Sequence, residues 1–132
     1  MEPANYEKPK ELYLKEVKRI IKKNKALLIF DEMCTGFRFS LGGAQSYFNV
    51  TPDLSCFGKS MGNGMPIAAL VGKKTYMKHI DKIFFSGTFG GETLSLIAAL
   101  AVIEKMEKDF VINYLWKYGN NLKVQVNKLL KK

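Results

Sequence analysis

Apolar residues recur along the chain in two rhythms, short unbroken runs and spacings of three to four. Leu12, Val17, Ile20 and Ile21 are separated by lysines in a stretch that Pro9 opens and Asn24-Lys25 closes. That spacing predicts an amphipathic helix with one buried face, and proline suits its first turn because its missing N–H would have no intrahelical partner. Residues 26–30, Leu54-Ser55-Cys56-Phe57 and residues 67–71 are short and almost wholly apolar, as strands covered on both faces of a parallel sheet are. Ile83-Phe84-Phe85 is a weaker candidate for another strand. Residues 73–79 have room for one or two helical turns. In residues 93–106, Leu94, Ile97, Ala98, Ala101, Val102 and Met106 follow the helical period, and the alanines permit close packing on a sheet. Asp109 is placed to cap a last helix to about Leu130, with Trp116 and Leu122 on its buried side.

Between these elements lie turn-forming stretches: Thr35-Gly36-Phe37-Arg38, Leu41-Gly42-Gly43-Ala44, Thr51-Pro52-Asp53 and the glycine-rich Gly58-Lys59-Ser60-Met61-Gly62-Asn63-Gly64. Strands alternating with helices predict an α/β layer on a mostly parallel sheet. There is no internal repeat. Met1-Glu2-Pro3-Ala4 reads as the loop that follows a strand lying upstream of this sequence.

Composition changes this picture little. At 132 residues, 47% hydrophobic and 25% charged, the chain has the make-up of one globular domain. No apolar run has the length of a membrane span, and the first residues lack the pattern of a secretory signal, so the expectation is a cytoplasmic protein. Cys34 and Cys56 each sit among apolar residues and read as buried thiols. The net charge of +9, from 21 basic and 12 acidic residues, raises polyanion binding as a function class. Much of it lies in residues 8–25 and 123–132, on polar helix faces without interleaved aromatics for base stacking. Solvated faces, and no nucleic-acid partner, are the expectation there.

Two residues carry candidate chemistry. Lys59 lies between an apolar run and glycines, where a ligand can approach the main chain, and a partly desolvated lysine can attack a carbonyl carbon to form a Schiff base. Taken alone, a surface lysine is the commoner reading. Gly58-Lys59-Ser60 is not a phosphate-cradling P-loop, which needs glycine where this chain has Asp53 and a helix directly after. Asp31 closes a buried run, and a carboxylate there calls for a cation or a ligand in the crevice at the strand ends.

The run of apolar residues ending in Asp31-Glu32-Met33, with Gly36-Phe37-Arg38, followed by Asp53-Leu54 and by Gly58-Lys59 with Gly64, resembles the class III aminotransferases. Gly42-Gly43-Ala44-Gln45 and Thr51-Pro52-Asp53-Leu54 look most like the members related to glutamate-1-semialdehyde aminomutase. The similarity runs from Met1 to about Met106. It implies a fold type I, pyridoxal-phosphate-dependent enzyme of amino-group transfer, working on small-molecule amino donors and acceptors as a homodimer. By the same resemblance, Lys59 is the Schiff-base lysine and Asp31 pairs with the pyridinium nitrogen. Met33 packs on the ring where the family usually has Val or Ile, and Cys34 stands where some members have a Gln bonded to the ring hydroxyl. Thr88, in Ser86-Gly87-Thr88, contacts the cofactor phosphate of the neighbouring subunit. Arg38 and Gln45 hold their loop by hydrogen bonds, and His79 is a surface residue.

Family members are about three times as long, and the phosphate loop and ring-stacking aromatic of their N-terminal half have no counterpart here. Residues 1–108 are then expected to be part of the large domain and 109–132 the first helix of the small domain. Such a portion is expected to bind cofactor weakly and to have little activity alone. Glu92 stands where the aminomutases have a Gly-Asn-Pro run, so another aminotransferase substrate is equally compatible. The alternative from a different class is a basic α/β module that binds polyanions without catalysis.

Overall fold

The computed structural model describes residues 9–131; the loop expected for Met1-Glu2-Pro3-Ala4 lies outside them. The first helix, α1 (Tyr13–Lys23), ends where Lys25 takes a left-handed conformation (φ 54°). Strand β1 (Ile29–Asp31) follows, then the short α2 (Gly43–Tyr47) and β2 (Leu54–Phe57). A one-turn 3-10 segment at Lys59–Met61 leads to β3 (Ala69–Gly72), and α3 (Lys74–Met77) comes next. Two long helices complete the chain, α4 (Thr93–Lys108) and α5 (Val111–Leu130).

The sheet has the order β1-β2-β3. Strands β1 and β2 are parallel, with Asp31 opposite Cys56, whereas β3 runs antiparallel to β2, with Phe57 opposite Ala69. The α/β class holds, and of the two pairings one is parallel. The reversal follows from chain length: eleven residues without an α-helix separate Phe57 from Ala69, too few for the crossover that a parallel partner needs. The strand expected at Ile83-Phe84-Phe85 is absent, and Phe84 is 96% exposed in a loop.

The core lies between the sheet and α4. Phe37, Phe57, Met61 and Ala99 are buried together, flanked by Leu41, Ile67, Ala69, Ile103 and Met106. The rings of Phe37 and Phe57 meet edge-on at 5.8 Å. Glu92 caps α4, its carboxylate accepting from the backbone N–H of Leu94 (2.7 Å) and Ser95 (2.8 Å) and from the Ser95 hydroxyl (2.6 Å). Those bonds, the Ser95 hydroxyl's first, hold its pKa below the ordinary value. Asp109 does not cap the last helix. It ends α4, where Lys105 reaches it at 2.7 Å, and Phe110 with φ 49° opens α5 instead. No residue of α5 is buried, so Trp116 and Leu122 are exposed rather than packed; Trp116 still donates its indole N–H to the Phe39 carbonyl (3.1 Å) and stacks on Tyr47. Likewise α1 buries none of its residues. Both cysteines are free and half-buried. No helix among the described residues is long and apolar enough to cross a membrane.

Asp53 ties the amino ends of the strands together. Its carboxylate accepts the Leu28 N–H at 2.9 Å and the Lys73 ammonium at 2.6 Å. The Leu28 bond first, and Lys73 next, lower its pKa from 3.8. A lowered folded-state value stabilises the protein above the unfolded value and loses that contribution as pH falls through the folded one. Asp53→Asn is therefore expected to lower neutral-pH stability by about 1 kcal/mol, discounted for the exposed lysine. Urea titrations should show the two proteins converging below pH 3.8. A constant offset from neutral to acid pH would contradict this account.

Candidate functional site

Parallel pairing puts the carboxyl ends of β1 and β2 side by side, and the loops leaving them form the site. Asp31 is the last residue of β1 and is exposed. One of its carboxylate oxygens accepts the Met33 N–H at 2.9 Å, which turns the chain away from the sheet. The following residue points the other way. Glu32 is 1% exposed, and its carboxylate accepts the N–H groups of Ala44 (2.9 Å) and Gln45 (2.8 Å) and the Thr35 hydroxyl. Burying a carboxylate is costly unless donors surround it, and here three do. Gly43, at φ 79°, makes room: a Cβ there would stand 2.8 Å from the Glu32 carboxylate. Gln45 also reaches the Ser55 hydroxyl on β2 at 3.2 Å.

The loop leaving β2 is fastened to the same turn twice. Lys59, with φ 41°, donates from Nζ to Cys34 Sγ at 2.6 Å. Its neighbour Ser60 accepts from Arg38 Nε at 2.9 Å. Gly58 lies flat against the Met33 thioether, so that any side chain there would meet Met33 Cε. Lys59, two residues after Phe57, is thus held against the turn that Asp31 opens, at Cys34, three residues after Asp31.

Three of the four residues expected at the site, Asp31, Met33 and Lys59, therefore lie at one end of the parallel pair. Thr88 lies elsewhere, in an exposed loop bordering a cavity of about 750 Å³ whose lining includes Met61, Phe85 and Ser95 but neither Asp31 nor Lys59. Arg38 and Gln45 make the loop-holding bonds expected of them, and His79 is exposed. Sequence reasoning missed the role of Glu32 and the contact between Cys34 and Lys59. For Glu32 a signal existed: an acid following a strand-terminal acid alternates to the opposite face, where only donors make it tolerable. Among the described residues no cluster of three metal-ligating side chains occurs.

The model of the family described as aminotransferase class-III matches residues 5–132. Among curated proteins, 3-aminobutyryl-CoA aminotransferase of Cloacimonas acidaminovorans is 45% identical over 96% of this chain and 31% of its own length. Glutamate-1-semialdehyde 2,1-aminomutase of Methanococcoides burtonii is 40% identical over 92% of this chain and 30% of its own. The chain thus spans about a third of the curated relatives it matches. Acetylornithine aminotransferase of Elizabethkingia anophelis superposes with a TM-score of 0.81 at 28% identity, over 93% of this chain and 33% of that one. An omega-transaminase of Sphaerobacter thermophilus gives 0.69 at 31% identity, over 74% and 23%.

Proposed function

Because the chain belongs to the class III aminotransferases, we propose that it carries the lysine and the carboxylate of a pyridoxal-phosphate site for amino-group transfer. The observation that carries this reading is the Lys59 amine held against the turn opened by Asp31, at the carboxyl end of two parallel strands. The donor set fits the cofactor: an amine for its aldehyde, and an exposed carboxylate for a protonated ring nitrogen. When bound, pyridoxal phosphate supplies an electron-withdrawing ring that lowers the cost of removing a proton beside an amino group.

The chain's own residues do the rest. Lys59 Nζ would hold the cofactor through its aldehyde carbon and would be the base placed to take and return a proton at the amino donor's Cα. Asp31 keeps the ring nitrogen charged, with its own orientation set by the Met33 N–H. Met33 provides an apolar flank. Thr88 serves the cofactor phosphate of a neighbouring subunit, which makes the working enzyme a homodimer. Residues 1–108 belong to the cofactor-binding large domain and 109–132 to the small domain, with the break at Asp109-Phe110. The enzyme is cytoplasmic and its substrates are small amino compounds. With about a third of the length of its relatives, the chain binds the cofactor weakly and turns over little.

Borohydride reduction in the presence of pyridoxal phosphate, followed by peptide mapping, tests the site. The pyridoxyl group is expected on Lys59 in preference to the other lysines, to vanish in Lys59→Ala, and to fall in Asp31→Asn. Label spread evenly over the lysines would overturn the assignment. Full turnover by the 132-residue chain would overturn the claim of weak binding.

A further inference from the structure

At the opposite end of the sheet, four lysines converge on one cleft. Lys18 and Lys22 lie one turn apart on α1, and Lys25 follows that helix on the same side. Lys73 comes from a different element, just past β3. Together they line a cleft of about 520 Å³ floored by Ile21, Ala26 and Leu28, a volume within the range of small-molecule sites. Of its lining residues, Leu28 and Asp53 flank the amino ends of β1 and β2 and Lys73 the far end of β3, so the cleft lies at the end of the sheet opposite Lys59.

The charge there is unbalanced. Asp53 is the acid of the cleft, and it is occupied by the Lys73 ammonium and the Leu28 N–H. Among the described residues, Lys18, Lys22 and Lys25 make no ion-pair contact, although Lys18 is near enough for its charge to help lower the pKa of Asp53. Lysines that only solvate a helix spread over its exposed face, whereas Lys18 is half-buried and Lys73 meets it from another element. Holding like charges round one concavity is unfavourable without an anion, and a concave wall of low dielectric concentrates their field.

The geometry points to a second ligand site in this cleft, for a small phosphorylated anion bearing two or more charges, such as a pyrophosphate or triphosphate group. Three lysines supply the charge, and Tyr76, Ile21 and Leu28 line the rest of the cleft. The site is independent of the cofactor reading. A linear polyanion such as nucleic acid fits less well, because the lysines surround a cleft rather than run along a track.

Inorganic tripolyphosphate is a suitable probe, since it has no carbonyl to react with Lys59. Calorimetric titration of the 132-residue chain is expected to show binding that weakens with added salt. Removing the charges in Lys18→Gln/Lys22→Gln/Lys25→Gln should weaken it at least about tenfold. A control with the same change in net charge, Lys117→Gln/Lys123→Gln/Lys128→Gln on α5, should change it less than about twofold. Five of the six lysines are exposed and Lys18 is half-buried without an ion pair, so circular dichroism should be unaltered. Absence of binding at millimolar tripolyphosphate overturns the proposal. So does an equal loss in both triple variants, or an oligonucleotide binding more tightly than tripolyphosphate with equal losses, either of which marks a diffuse basic surface.

Discussion

Glu32→Ala is expected to destabilise the protein by about 2–5 kcal/mol, enough to unfold a chain of marginal stability. The side chain contributes no apolar packing of note; its value lies in what it satisfies. Two backbone N–H groups, the buried one of Ala44 and the half-buried one of Gln45, point at its oxygens, and the Thr35 hydroxyl donates as well. Removing the carboxylate leaves these donors without their acceptor, and each unsatisfied donor costs about 1–3 kcal/mol, less where water enters from the adjoining cavity of about 170 Å³ that Glu32, Thr35 and Ala44 line. Glu32→Gln separates charge from shape. Its amide oxygen can accept one of the N–H groups, while its NH2 faces the other donor, so an intermediate loss is expected. Urea midpoints rank the three proteins, and hydrogen exchange at Ala44 and Gln45 localises the effect. If Glu32→Ala kept the wild-type midpoint and the protection of those two amides, the carboxylate would not be what fastens the Gly43–Tyr47 segment to the strands.

This dependence also explains which features could be read from residue order. β2 coincides with its apolar run, Leu54–Phe57, because it is paired on both sides and buried at Ser55 and Phe57. The start of α4 at Thr93 was likewise legible, since its period is strong. At the start of β1 the pattern was misleading: residues 26–28 are as apolar as residues 29–30, yet the Ala26 N–H still bonds back to Ile21 and Lys25 takes a left-handed turn. Pairing, not hydrophobicity, decides where that strand begins. Helix periodicity announces an apolar face without naming its cover. Leu94, Ile97 and Leu100 on α4 follow that period, yet all are more than half exposed. At the site, Asp31 and Lys59 stand out as charges directly after apolar runs. The contacts of Lys59 with Cys34 and of Arg38 with Ser60 join residues more than twenty positions apart, and nothing in their spacing marks them.

The same contrast between apolar and buried sets the second large effect. Phe57→Ala is expected to cost about 3–5 kcal/mol, whereas Phe84→Ala should stay within about 0.5 kcal/mol of the wild type. Both are phenylalanines in apolar runs, but Phe57 is 9% exposed and Phe84 is 96% exposed. Phe57 meets Phe37 edge-on, and the bare backbone of Gly36 lies so close that a Cβ there would be 2.5 Å from the ring. On the Gly36 side there is no side chain to collapse into the cavity, which keeps the cost within the range for large-to-small changes of a buried aromatic. The effect reaches the site because Phe57 is the last residue of β2 and anchors the start of the Gly58-Lys59 loop. Alongside the lower urea midpoint, Phe57→Ala should therefore lose the preference for pyridoxyl labelling at Lys59 under conditions where the variant remains folded. Phe84→Ala should keep that preference and, with one large exposed ring fewer, aggregate less. Equal destabilisation by the two substitutions would mean that the region around Phe84 is packed in solution and that the core extends beyond the Phe37–Phe57 cluster.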